Sequence, residues 1–212
     1  IRTNGSQESN YGVLIQLLSN RNLVQDNNIS TSSAGVGTSL SHGVYLLSTV
    51  SGNRVSRNTI VASGSASEIN GVRLETTAEN NTVEDNTIAA AGGANSDTNY
   101  GVYLTSAANR NNVTGNVITT SGGGGTGQNH GIFLFSTAGN NRVINNSVSA
   151  SGGSGTGTDN NGIRLQTTAN DNVIANNTVR TKGSGQNNAG LSFTSLSGNL
   201  AIGNFINATG GV

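Results

Sequence analysis

A glycine followed by two asparagines, ten and fifteen residues behind it, recurs along this chain, and no other feature so narrows what the chain can fold into. The glycines are Gly12, Gly43, Gly71, Gly101, Gly131, Gly162 and Gly190. Behind the first six stand Asn22 and Asn27, Asn53 and Asn58, Asn81 and Asn86, Asn111 and Asn116, Asn141 and Asn146, and Asn172 and Asn177. The seventh pair, Asn199 and Asn204, keeps the five-residue gap but arrives one residue early. A spacing of 28 to 31 residues held from end to end means one structural unit stacked on copies of itself.

The apolar residues say what that unit is. One and three positions after the glycine stand pairs such as Val44 and Leu46, Val72 and Leu74, Val102 and Leu104, and Ile132 and Leu134. This alternation is the period of a strand with one buried face. Two positions after the first asparagine come Val24, Val55, Val83, Val113, Val143, Ile174 and Ala201. Two after the second come Ile29, Ile60, Ile88, Ile118, Val148, Val179 and Ile206. These segments are too short for helices, so each repeat is three short strands separated by bends. One such circuit cannot bury its apolar side alone. The expectation is an all-β, right-handed, single-stranded parallel β-helix of about seven coils, roughly 30 Å long at the strand spacing.

Stacked about 4.8 Å apart, identical asparagine amides can donate and accept along a column, so two Asn ladders are expected. Asparagine also tolerates the left-handed backbone of a bend. The leading glycine fits a corner with positive φ or a close backbone approach. The repeat H-G-V-Y-L-L-S-T-V-S-G-N-R-V-S-R-N-T-I (42–60), echoed by Y-G-V-Y-L-T-S-A-A-N-R-N-N-V-T-G-N-V-I (100–118), resembles the right-handed parallel β-helix repeat. It is similar to the repeats of NosD-like and carbohydrate-binding or sugar-hydrolase domains, and of surface adhesins and autotransporter passengers. The resemblance implies the fold throughout the chain. It implies little about activity, because the fold serves lyases, hydrolases, epimerases, adhesins and inert stalks alike.

Only 9% of residues are charged and the formal net charge is zero, which gives no footprint for nucleic acid or an anionic membrane. No apolar run is long enough to span a bilayer. The chain has no cysteine, methionine or proline, which excludes disulfides and thiolate metal sites. Residues 1–212 are expected to form one domain, a segment of a longer solenoid or a protomer that stacks, because neither end carries an obvious cap. The glycine-rich linkers at 121–129 and 151–160 are similar to calcium-binding nonapeptides of bacterial β-rolls. They place Gly127 and Gly157 where the carboxylate is needed, so surface loops are expected there.

Outward positions of the first strand form a stripe of rings and guanidinium groups: Tyr45, Arg73, Tyr103, Phe133, Phe135 and Arg164. Such a stripe suits protein contact, cover by the linkers, or stacking on sugars. Catalytic residues are not expected. The acids are scattered, and Asp26, Arg57 and Asp85 read as an exposed ion ladder of small worth. His42-Gly43 and His130-Gly131 resemble the histidine–glycine pair of polygalacturonases, but the aspartate and arginine–lysine motifs that accompany it there are absent.

The expected function is an extracellular, cell-surface structural or adhesive module that self-associates into a layer, sheath or filament. No enzyme activity, cofactor or metal is expected. A carbohydrate-active β-helix that binds or cleaves a surface polysaccharide is the alternative.

Overall fold

The computed structural model describes residues 1–5, 9–34, 39–93, 98–122, 127–152, 159–183 and 187–210. Three parallel sheets run along the stack. The front sheet carries the glycine strands: Asn10–Gln16, Leu40–Leu47, Glu68–Glu75, Thr98–Thr105, Gln128–Phe135, Asp159–Gln166 and Leu191–Thr194. The side sheet is built of three-residue strands, from Leu23–Gln25 through Asn112–Thr114 to Leu200–Ile202. The back sheet has eight strands, from Arg2–Gly5 through Val117–Gly122 to Phe205–Thr209. The chain visits front, side and back in turn, and we number these circuits rungs 1 to 7. Among the described residues there is no helix, and so none long and apolar enough to cross a membrane.

The solenoid makes about six turns rather than the expected seven coils. Seven rungs bracket six stacking steps, and the last rung lies open on one side. Its Ile202 and Ile206 are 57% and 44% exposed, whereas their counterparts on rung 6, Ala175 and Val179, are buried. Rungs 2 to 6 point all four expected apolar columns into one continuous core. A fifth column, Val50, Ala78, Ala108, Ala138 and Ala169, joins them at zero exposure. Its small side chains fill the corner between front and side sheets.

Both Asn ladders run through all seven rungs. On rungs 1 to 6 the asparagine backbone N–H donates to Oδ1 of the asparagine above, at 2.8–3.0 Å. The side-chain Nδ2 donates to a carbonyl of the rung below, as Asn116 does to Val83 at 2.9 Å. The ladder residues are not themselves left-handed, contrary to the expectation. Positive φ falls on the residue before each one, such as Asp26, Arg57, Asp85 and Asn145. The chain turns there so that the asparagine after it can send its amide inward.

The leading glycines likewise have ordinary φ, and close packing fixes them. A Cβ on Gly101 would lie 2.2 Å from Ile118 Cγ2 and 2.6 Å from the Gly131 carbonyl oxygen. The back sheet therefore presses directly on the front-sheet backbone. The glycine also lets the residues before and after it, such as Tyr100 and Tyr103, share the outer face.

Candidate functional site

That outer face of the front sheet concentrates the rings, the histidines and the most buried ion pairs of the chain. Tyr45, Tyr103 and Phe133 are buried, at 6%, 9% and 4% exposure. Phe135 is half-buried, and the Arg73 and Arg164 side chains are 11% and 12% exposed. The residues before the glycines, His42 and His130 among them, lie beside these rings. His42 and His130 have no exposed surface.

Two clusters emerge. In the first, Tyr11 stacks on His42 at 5.5 Å between centroids, and Tyr45 meets His42 edge-on at 5.2 Å. Arg73 lies between two rings, 5.4 Å from Tyr45 and 5.2 Å from Tyr103. Its Nε donates to Glu75 at 2.9 Å and its NH1 pairs with Glu68. The Tyr45 hydroxyl donates to Glu75. In the second cluster, Tyr100 stacks on His130 at 5.4 Å and Tyr103 on Phe133 at 5.4 Å. Arg164 lies over Phe133 at 5.6 Å and pairs with Asp159 at 2.9 Å.

Both imidazoles face donors on both sides. His42 meets Asn70 Nδ2 at 3.2 Å and Arg73 NH1 at 3.4 Å. His130 meets the Asn161 backbone N–H at 3.3 Å and Arg164 NH1 at 3.2 Å. A neutral ring carries one proton, so only one of its nitrogens can accept. Burial, reinforced by the neighbouring guanidinium, pushes each pKa down to about 3. Burial likewise raises the Tyr45 hydroxyl, with Glu75 adding to it, and the Tyr100 and Tyr103 hydroxyls. Neutral sealed imidazoles and protonated phenols provide no reachable base or nucleophile at neutral pH.

A third asparagine column was legible in the sequence and was missed. Asn99, Asn129, Asn160 and Asn188 each stand two residues before a leading glycine, and each of the first three donates to the next at 2.8–3.1 Å. Asn99 Oδ1 is left unpaired because rung 3 holds Ile69 in that place. Of the expected ion ladder, Arg57 grips Asp26 with two bonds, at 2.9 and 3.0 Å. Most of the glycine-rich linker residues of 121–129 and 151–160 lie outside the described residues.

The family model described as periplasmic copper-binding protein (NosD) matches residues 1–121, more than half of the chain. The chain belongs to the NosD family. No curated protein matches it. Among solved structures, the periplasmic alginate epimerase AlgG is similar, with a TM-score of 0.53 and 14% identity over 94% of this chain. The chain spans about half of that epimerase, 51% of its length. The Azotobacter vinelandii mannuronan C-5 epimerase AlgE6 A-module gives a TM-score of 0.27, at 14% identity over 98% of this chain and 76% of the module. At such identity the likeness to AlgG is one of fold.

The donor set does not fit the copper of the NosD family's description. Copper sites draw on imidazole, thiolate and thioether ligands, and this chain has neither cysteine nor methionine. Its two histidines are sealed, and an arginine stands at the Nε2 of each. Among the described residues no three His, Asp or Glu side chains gather as a metal site.

Proposed function

We propose that this chain is a non-catalytic structural module of the cell envelope, an extracellular or periplasmic β-solenoid that holds out a stiff, nearly uncharged surface. The observation that supports this most is the condition of the front face. Most of its rings are buried, its arginines are tied to carboxylates and its histidines are sealed, whereas an enzyme needs a perturbed group that substrate can reach. The word periplasmic in the family's description, and in that of AlgG, supports the location. Self-association into a layer or filament belongs to the same reading, although Tyr103 and Phe133 are only 9% and 4% exposed.

The test pairs activity with particle size. Purified protein is incubated with alginate and with polygalacturonate, and the polymers are followed by proton NMR while light scattering records particle mass. Unchanged polymers, with mass that grows with concentration, are expected. Epimerised or shortened polymer would overturn the non-catalytic reading, and a monomer at every concentration would remove its assembling part.

A further inference from the structure

The outer face of the front sheet repeats at a longer period than the coil. Tyr11, His42 and Asn70 on rungs 1 to 3 return as Tyr100, His130 and Asn161 on rungs 4 to 6. Arg73 with Glu68 returns as Arg164 with Asp159. The first copy is complete, and it serves as an internal template for the second.

The second copy lacks three parts. Tyr103, in register above Arg73, closes the upper face of that guanidinium, but Ser192 stands in register above Arg164. Ala189 stands above Asn161, where Tyr100 stands above Asn70. Glu75, which accepts from Arg73 Nε, is replaced by Gln166, and Arg164 Nε is buried without a partner. Where the rings would be there is a cavity of about 440 Å³, lined by Arg164, Asp159, Asn161, Asn187, Ser192 and Thr194. That volume suits a small ligand. Asn187 is already oriented, donating to Asp159 at 2.7 Å.

We infer that this cavity between rungs 6 and 7 binds an acidic sugar unit, a hydroxylated ring bearing a carboxylate. The ring replaces the missing tyrosine on the open face of Arg164, and the carboxylate replaces Glu75 as the second acceptor for its guanidinium. Beyond the Arg164–Asp159 ion pair and Ala189 the walls are amides and hydroxyls, which match sugar hydroxyls better than an aromatic side chain. The inference concerns binding alone and stands whether or not the module is a scaffold.

The test uses trigalacturonate as the acidic probe and maltotriose as the neutral one, with amide shifts followed by NMR. Trigalacturonate is expected to move the amides of Asn187, Ser192 and Thr194 with a millimolar Kd, at least tenfold tighter than maltotriose. Ser192→Tyr puts back the ring and Gln166→Glu the carboxylate, so each copies a part the first cluster already carries. Each is expected to weaken trigalacturonate at least tenfold and to leave the protein folded. Should Ser192→Tyr fail to fold, Gln166→Glu alone decides. The inference is overturned by absent shifts, by equal response to both sugars, or by binding indifferent to the variant that folds.

Discussion

Replacing Asn116 by alanine removes one member from the middle of a buried ladder, and the structure shows which groups lose their partners. Asn116 Oδ1 accepts from both the backbone N–H and the Nδ2 of Asn86, each at 3.0 Å. Its own Nδ2 donates to the carbonyls of Val83 and Thr114 and to Asn146 Oδ1. Some neighbours keep a second partner: Asn86 Nδ2 still reaches Val55, and Asn146 Oδ1 still receives the residue 116 backbone N–H. The Asn86 N–H loses its acceptor, whereas the Val83 carbonyl keeps the Thr114 backbone N–H of the strand ladder. One buried group left unsatisfied gives a loss of about 1–3 kcal/mol. That is a large share of the stability of an ordinary domain. Urea melts followed by circular dichroism would measure it, with Thr114→Ala on the outer side as control at under about 0.5 kcal/mol. Asn27→Ala should fall between, near about 1 kcal/mol, because the first rung has no ladder amide beneath it. If Asn116→Ala costs no more than Thr114→Ala, the ladder does not hold the rungs together.

Acid should weaken the fold earlier than carboxylate titration alone would. Each histidine has its folded pKa lowered to about 3, below its unfolded value, so the unfolded state binds the proton first. Stability is therefore full above about pH 6.5 and lost as pH falls towards 3, by about 2 kcal/mol per histidine at pH 5. Urea midpoints that are flat between pH 7.5 and 5 would contradict sealed imidazoles. Gly101→Ala should cost about 3 kcal/mol or more, because its Cβ meets a backbone carbonyl and an isoleucine that cannot retreat. Gly115→Ala, at φ +67° and facing the exposed Asp85 side chain, should cost about 1–2 kcal/mol. Thermal melts that rank the two equally would refute the close-packing account.

The periodic part of the fold was open to reading because stacking gives a residue the same neighbour on every rung. Val55, Val83 and Val113 share one environment, so the columns, the strands and the two ladders could be taken from spacing alone. By the same logic the third asparagine column and the alanine corner were present in the sequence and needed only a search at other offsets. The place of the left-handed residues was less open, since Arg57, Asp85, Gly115 and Asn145 share a conformation without sharing a side chain.

The outer face of the front sheet was beyond the single-rung repeat. Its contacts join unlike residues on successive rungs, such as Tyr100 on His130 and Arg73 between Tyr45 and Tyr103. Sequence alone could show that these residues share a stripe. Whether the stripe is open or sealed depends on ring tilt, on the ion pairs that draw each arginine down, and on the side chain of the next rung. Ser192 leaves a cavity over Arg164 where Tyr103 closes one over Arg73, and only the stacked structure sets those two positions side by side.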